Sequence, residues 1–351
     1  MPLIHVKSSR SASGSPLRQL LTWLTALICA GLTACASGSS AAPQWRSAEG
    51  VVWATTYHIT YRAPADLSDS IIAAMRRVEL SLSPFEPLSR ISALNAGTDS
   101  VADALICRVF RRSVDVNEAS AGMFDPTVGP LIELWGFGKN RIDSPAPSDS
   151  AINAALARVG ILRCSIDSAG IIHKPHPATM FNFSAITKGL GVDEVAAALA
   201  RGGATDWLVE IGGEMTLHGR NSRDRLWRVS VDAPLPDSTA THRGLLTIDV
   251  TDCAIATSGN YRNFHHTPNG ERVGHTISPR TGRPVASDIL SATVIAHDCM
   301  TADALATACM ALGSDSALVM VSRFPGAKAL LVMEGDPLRI VTTPGFPAFN
   351  R

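Results

Sequence analysis

The sequence predicts an α+β fold in which mixed or antiparallel sheets carry flanking helices. Helical and strand patterns are interspersed along the chain without the regular βαβ alternation that a doubly wound fold requires. The chain is also mostly β between residues 207 and 250, where three strand patterns follow one another. Hydrophobic residues make up 46% of the chain and charged residues 18%, which is ordinary for a packed globular protein and too apolar for a disordered one.

The first half of the chain is predicted to hold one strand and three helices. Residues 51–61 are rich in β-branched and aromatic side chains, which favours a strand. Residues 66–82 have apolar side chains at a helical spacing, and Pro84 ends that helix. A second helix is predicted at 103–119, and a polar loop leads into a third helix at 149–159.

The second half is predicted to be richer in strands. A strand end at 181–184 precedes a helix at 185–200, and strands follow at 207–211, 227–231 and 244–250. A Gly-, Pro- and His-rich loop or hairpin is predicted at 260–284. The remaining predicted elements are a strand at 290–296, helices at 301–312 and 316–323, and strands at 329–333 and 339–343.

The balance of charge argues against a nucleic-acid-binding protein. The 351 residues contain 31 Lys and Arg and 31 Asp and Glu, so the formal net charge is zero. Proteins that bind nucleic acids need a basic surface. We therefore expect no nucleic-acid partner.

The first 34 residues are predicted to be a lipoprotein signal peptide. Basic residues precede an apolar run at 20–31, which is shorter than the roughly 20 residues that a membrane-spanning helix needs. The run leads to Leu-Thr-Ala and then Cys35, which resembles a bacterial lipoprotein signal, in which cleavage precedes the Cys and its thiol is lipidated. A plain signal peptide with an incidental Cys is the alternative.

This prediction divides the chain into three parts. Residues 1–34 are the signal peptide, residues 35–48 are the lipidated Cys with a flexible tether, and residues 49–345 are the functional domain. We expect an exported protein that faces the periplasm on a lipid anchor, with the inner membrane favoured over the outer. Five cysteines remain beyond Cys35, none in a CxxC motif, and we interpret most of them as small buried side chains.

The usual nucleotide-binding and hydrolase motifs are absent from the sequence. No GxGxxG follows a predicted strand, and neither GxxxxGK[ST] nor GxSxG occurs. Asp125 lies in a Gly- and Pro-rich loop, where it either binds a ligand or caps its own turn. Lys188 lies at a predicted helix N-terminus, a place that favours anions such as pyrophosphate, although an exposed first-turn Lys is an equal alternative.

A possible metal site occurs on the last long predicted helix. Asp303 and Thr307 are four residues apart, so their oxygens project from one face of the helix. Carboxylate and hydroxyl oxygens suit Mg²⁺. The alternative is an Asp favoured by the helix dipole and a Thr bonded back to a carbonyl group. His275 is a candidate base or phosphate contact, and Arg280 and Arg283 are candidate anion ligands.

Taken together, these segments resemble the ApbE family, the FAD:protein FMN transferases, over nearly all of the chain after the signal. The matching segments are Thr-Thr-Tyr-His-Ile at 55–59, Ser-Pro-Phe-Glu-Pro at 83–87, Phe-Asp-Pro-Thr-Val-Gly-Pro-Leu at 124–131, Ser-Ala-Ile-Thr-Lys-Gly at 184–189, Val-Glu-Ile-Gly-Gly-Glu at 209–214, Ala-Thr-Ser-Gly-Asn-Tyr-Arg-Asn at 256–263, His-Thr-Ile at 275–277 and Ala-Asp-Ala-Leu-Ala-Thr at 302–307. The resemblance implies an ApbE-like, T-fold-related duplicated architecture.

The resemblance also implies an activity. In such enzymes FAD and Mg²⁺ bind, a Thr or Ser hydroxyl of a partner protein attacks the FMN phosphorus, and AMP leaves. Acceptors of this kind are subunits of sodium-pumping quinone reductases or Rnf-type complexes. Two alternatives remain open: an FAD pyrophosphatase that gives FMN and AMP, and a non-catalytic periplasmic flavin-binding lipoprotein.

Site residues follow from the resemblance position by position. Asp303, Thr307 and the carbonyl group of Ala185 would hold Mg²⁺, and His275 would be the catalytic base or a phosphate contact. The positions implied for FAD binding are Trp53, Phe85, Met123, Phe124, Asp125, Asn182, Lys188 and Ile277.

The chain departs from the family pattern at several of these places. Trp53-Ala54 stands where Met-Gly is common, Asn182 stands where Asp is usual, and Ser278 replaces another Asp. Ala306 stands where some members have a second Asp beside the metal-binding Thr. Fewer negative ligands predict weaker or single-site binding of Mg²⁺.

Overall fold

The computed structural model describes residues 42–138, 146–234, 244–259, 264–266, 272–274 and 276–350. The predicted signal peptide, Cys35 and His275 lie outside these residues. In the described part, no helix combines the length and the apolar character needed to cross a membrane.

The first half of the described chain begins with a hairpin and continues with helices. Its elements are β1 (Gln44–Val52), β2 (Thr55–Ala63), α1 (Ser68–Leu82), α2 (Arg90–Ala96), α3 (Ala104–Ala119), α4 (Gly129–Leu134), α5 (Asp149–Leu156), β3 (Ser165–Ile166), β4 (Ile172–His173) and α6 (Ser184–Arg201). Helices α1, α3, α5 and α6 agree with the predicted helices.

The second half supplies most of the strands. Its elements are β5 (Asp206–Ile211), β6 (Glu214–His218), β7 (Trp227–Asp232), β8 (Gly244–Val250), β9 (Cys253–Gly259), β10 (Phe264–His266), β11 (Arg272–Gly274), β12 (Ile289–Ala296), α7 (Cys299–Leu312), α8 (Ser314–Ser322), β13 (Lys328–Met333), β14 (Arg339–Thr342) and β15 (Phe349–Asn350).

Two strand predictions are wrong. The strand end predicted at 181–184 is absent, because residues 181–183 form no strand and α6 begins at Ser184. Residues 51–61 were expected to form a single strand, but the chain reverses at Trp53 and Ala54, and β1 pairs with β2 from Val52 opposite Thr55. The turn lacks the Asn, Asp or Gly that usually marks a two-residue hairpin turn, so the sequence gives no sign of it. Strand β1 also begins at Gln44, so residues 44–48, expected in the tether, belong to the sheet.

Eight strands form the main sheet, in the order β1-β2-β5-β6-β9-β12-β13-β14, and each neighbouring pair is antiparallel. A three-stranded antiparallel sheet has the order β15-β8-β7. The predicted α+β class with antiparallel sheets is therefore confirmed.

The main sheet is covered on both faces. On β13, Ala329 and Leu331 pack with the helices, while Leu330 and Val332 pack against the small sheet. Successive side chains of a strand point to opposite faces, so a strand covered on both sides must be apolar throughout. This arrangement explains the continuous apolar runs of β12 and β13, and it fixes the helices α6 and α7 over one face.

Candidate functional site

The candidate site is built on the packed pair of helices α6 and α7. Asp303, in the second turn of α7, is buried, and its Oδ2 accepts a hydrogen bond of 2.9 Å from the backbone N–H of Gly189 on α6. A Cβ atom on Gly189 would lie 2.6 Å from the carbonyl carbon of Cys299 and 2.8 Å from Cβ of Asp303. Only glycine therefore allows the two helices this close approach.

Lys188 forms an ion pair with Glu214, the first residue of β6. Glu214 is buried, and its Oε2 atom has no hydrogen-bond partner in the described part of the chain. The Lys188 side chain is 38% exposed, so it extends from the protein interior toward solvent. The structure thus favours a paired Lys over the alternative of an unattached first-turn residue.

Burial and charge shift the pKa values of this group. Burial raises the pKa of Glu214 and of Asp303, because a carboxylate loses hydration there. Burial alone would lower the pKa of Lys188. The negative charges of the neighbouring carboxylates raise it, and Glu214 contributes more than Asp303. Two buried carboxyl groups therefore share one ammonium group, and their raised pKa values favour the neutral acid unless a further cation binds beside them.

Thr307 lies one turn after Asp303 on α7. Its hydroxyl is 3.2 Å from that of Ser258 on β9, and either group can donate the hydrogen bond. Strand β9 also carries Thr257, whose hydroxyl is 2.9 Å from that of Thr293 on β12. The sheet therefore brings Ser258, to which the sequence analysis gave no role, to the predicted metal-binding Thr.

Ala185 and Asn182 lie at the start of α6. Ala185 is partly buried in the first turn, and the Asn182 side-chain oxygen accepts a hydrogen bond of 3.0 Å from the N–H of Ser184. The backbone N–H of Asn182 donates to the carbonyl group of Pro126 at 2.7 Å. This bond joins the start of α6 to the loop that contains Asp125.

Asp125 holds its own loop together. Its Oδ1 accepts from the backbone N–H of Thr127 at 2.8 Å, and its Oδ2 accepts from the N–H of Ile161 at 3.0 Å. The predicted turn-capping interaction is therefore present. Phe124 is buried in the main core and Met123 is partly buried beside it.

Three other residues that were predicted to contact FAD lie in different parts of the fold and differ in burial. Phe85 is 67% exposed on the loop after α1. Trp53 packs against α6, and its indole N–H is buried without a partner among the described residues. Ile277 is buried beside α4 and α5 and forms an isolated bridge with Pro284.

The two candidate anion-binding arginines contact the protein itself. Arg280 donates to the carbonyl group of Ala121, in the loop before Met123, and Arg283 pairs with Asp149 at the start of α5. His275, the candidate base, lies outside the described residues. Arg280 therefore ties the segment after residue 275 to the loop of Met123 and Asp125.

Within the described ranges, no three His, Cys, Asp or Glu side chains are grouped so that they could hold a metal ion. The predicted site is of another type, because it combines one carboxylate with a hydroxyl and a backbone carbonyl group. The buried carboxyl groups of Asp303 and Glu214 offer oxygen ligands of the kind that a hard cation takes.

Comparison with known proteins decides the family. The model of the ApbE family matches residues 53–331, which include both helices of the candidate site. The chain belongs to the ApbE family. Its predicted membership is therefore confirmed.

Relatives and solved structures of the ApbE family agree with this assignment. The chain is 33% identical over 309 residues to a Vibrio cholerae protein named FAD:protein FMN transferase, covering 86% of this chain and 91% of that protein. A Haemophilus influenzae protein of the same name is 31% identical over 292 residues, covering 79% and 83%. The structure of flavin transferase ApbE from Vibrio cholerae matches with a TM-score of 0.77 and 32% identity, covering 87% of this chain and 98% of that one. The enzyme class predicted from the sequence is the one these names give.

Sequence reasoning missed three polar residues that the structure places at the candidate site. Glu214 stands in the Val-Glu-Ile-Gly-Gly-Glu segment, and Ser258 in Ala-Thr-Ser-Gly, so both lay in segments that matched the family but had no assigned role. Asp193, four residues after Gly189, accepts hydrogen bonds from the N-terminus of α7. Its spacing from Gly189 was the available signal, because residues four apart share a helix face.

Proposed function

We propose that this protein transfers FMN from FAD to a Thr or Ser hydroxyl of a partner protein and releases AMP, in a Mg²⁺-dependent reaction. The observation that carries the proposal is the buried pair of carboxylates, Asp303 and Glu214, beside Lys188 in a chain of the ApbE family. The names of the relatives support the coarser part of the proposal, the transfer of FMN from FAD to a protein.

The proposed reaction balances without a redox step. A P–O bond forms between the acceptor hydroxyl and the FMN phosphorus, the P–O bond to the AMP portion breaks, and the acceptor hydroxyl loses its proton. Phosphoryl chemistry of this kind depends on positioning and on neutralisation of charge. Lys188 supplies a positive charge near the start of α6, where the helix dipole also favours phosphate. His275 is our candidate to receive the proton.

Asp303, Thr307 and the carbonyl group of Ala185 are the residues that would hold Mg²⁺. When bound, the ion would neutralise negative charge on the phosphates. Ser258 supports this assignment, because its hydroxyl is in hydrogen-bond contact with Thr307 and can orient it. For FAD itself, we keep the predicted contacts at Trp53, Phe85, Met123, Phe124, Asp125, Asn182, Lys188 and Ile277.

The proposed acceptor is a flavin-bearing subunit of a sodium-pumping quinone reductase or an Rnf-type complex. We further propose that the protein is exported and anchored through Cys35, facing the periplasm, with the inner membrane favoured. These proposals rest on the signal-like sequence at 1–34 and on the family.

The test combines purified protein, FAD, Mg²⁺ and such an acceptor subunit. We expect a covalently fluorescent acceptor band on a denaturing gel together with one AMP for each flavin attached. Asp303→Ala should abolish the Mg²⁺-dependent reaction, and replacement of the acceptor hydroxyl residue by Ala should abolish both labelling and AMP release, because the attacking hydroxyl is gone.

Two outcomes would replace the proposal. FMN and AMP without a labelled acceptor would identify an FAD pyrophosphatase. FAD retained through purification with no AMP formed would identify a flavin-binding protein without this activity. A turnover rate unchanged in Asp303→Ala would remove the metal assignment.

A further inference from the structure

Helices α6 and α7 contact each other through residues spaced four apart. On α6 these residues are 185, 189 and 193, and on α7 they are 299, 303 and 307, so each set shares one helix face. Asp193 bonds to Cys299, and Gly189 bonds to Asp303. The contacts run in opposite order along the two helices, which are therefore antiparallel, and the next pair in the series is Ala185 with Thr307.

Asp193 binds the first turn of α7 through both of its carboxylate oxygens. Oδ1 accepts from the N–H of Cys299 at 2.8 Å, and Oδ2 accepts from the N–H of Met300 at 2.9 Å. These N–H groups have no partner within α7, as at the start of any α-helix. The Asp193 carboxylate satisfies them from the neighbouring helix.

A second carboxylate caps the same helix end from within its own segment. Asp298, the N-cap residue, accepts from the N–H of Thr301 at 2.8 Å and from its hydroxyl at 2.7 Å. Both aspartates stabilise the helix terminus. They differ in one respect, because Asp193 also joins α7 to α6 and Asp298 does not.

We propose that Asp193 is a positioning residue for the metal site, because it sets the register of α7 against α6. This inference rests on the proposed function, in which Asp303 and Thr307 on α7 and Ala185 on α6 hold the ion. Ligands on two separate helices form one site only if the helices keep a fixed separation. Mg²⁺ tolerates little departure from octahedral geometry, so a small shift of α7 along α6 weakens binding.

The test measures Mn²⁺ binding to the purified full-length protein without FAD, by calorimetry or by the electron paramagnetic resonance of the free ion. Asp193→Asn keeps the shape of the side chain and one acceptor oxygen, and we expect about tenfold weaker binding. Asp193→Ala removes both acceptors and should weaken binding further. Asp298→Asn is the matched control, since it alters a cap of the same helix end without touching the contact between helices.

We expect all three substitutions to lower the melting temperature, and only the two Asp193 variants to lower the affinity for Mn²⁺. Equal losses of affinity in Asp193→Asn and Asp298→Asn would show that helix-end stability alone matters and would overturn the inference. Unchanged affinity in the folded Asp193 variants would overturn it as well. A wild-type protein that binds no Mn²⁺ would instead refute the proposed metal site, on which the inference depends.

Discussion

Trp53 and Ala54 form the two central residues of the turn between β1 and β2, and both have positive φ angles, of 50° and 60°. A two-residue hairpin turn of this type matches the twist of its strands, but it favours Asn and Gly. A side chain with a Cβ atom costs about 1 kcal/mol in this left-handed region. Backbone strain of this kind often accompanies functional positions, and Trp53 is one of the proposed FAD contacts.

The strain can be measured by substitution. Ala54→Gly should raise the free energy of unfolding by about 1 kcal/mol, because glycine adopts positive φ without a steric penalty. A thermal melt followed by circular dichroism measures the change, which corresponds to roughly 2 °C. The matched control is Ala73→Gly at an exposed position of α1, which should lower stability by about 1 kcal/mol. If both variants lose stability, the turn is not strained at Ala54.

Helix α6 carries two glycines, Gly189 and Gly191, that serve different contacts. A Cβ atom on Gly189 would meet the backbone of Cys299 on α7, whereas one on Gly191 would meet the ring of Trp53, 2.6 Å from Cζ3. Backbone in a packed helix cannot move aside easily, but a side chain can adopt another rotamer. A methyl group added at Gly189 should therefore disturb the packing more than one added at Gly191.

This difference gives a prediction for the helix pair. Gly189→Ala should destabilise the protein by about 2 kcal/mol despite the better helix propensity of Ala, because overpacking separates α6 from α7. Gly191→Ala should cost less, and the cost should disappear in the Trp53→Ala background. Urea unfolding of the three variants and the Trp53→Ala single variant provides the measurement. If Gly191→Ala lowers stability as much as Gly189→Ala does, the contact of Gly189 with the α7 backbone is not the less tolerant of the two.

On the scale of the whole molecule, the main sheet is buried between helices on one face and the small sheet on the other. The strand β15 closes this arrangement, since Phe349 pairs opposite Ile248 of β8 and packs against the apolar cluster between the two sheets. Strand β1 begins at Gln44, inside the segment 35–48 that was predicted to be a tether.

Cys35→Ala tests the anchor. If the thiol carries the lipid, the substituted protein should move from the membrane fraction to the soluble fraction of the envelope, because acyl chains supply about 0.8 kcal/mol of membrane binding for each buried methylene. Fractionation followed by immunoblotting measures the distribution. Cys107→Ala, at a half-buried position of α3, is the matched control and should stay with the membrane. Continued membrane association of Cys35→Ala would refute lipidation at this residue.

The sequence by itself determined the α+β class, most of the elements and the family, because these follow from local periodicity and from short segments in order. Helices α1, α3 and α6 were predicted within two residues of their observed ends. The turn at Trp53-Ala54 was not predicted, because Trp and Ala disfavour the positive φ angles that the pairing of β1 with β2 requires.

Only the tertiary structure decided which polar groups meet. The ion pair of Lys188 with Glu214, the contact of Ser258 with Thr307 and the bonds of Asp193 to α7 each join residues far apart in sequence. Periodicity places a side chain on a face of its own element, but it carries no information about the element that packs there. The burial that raises the pKa of Asp303 has the same origin, because removal of water depends on everything that surrounds the carboxylate.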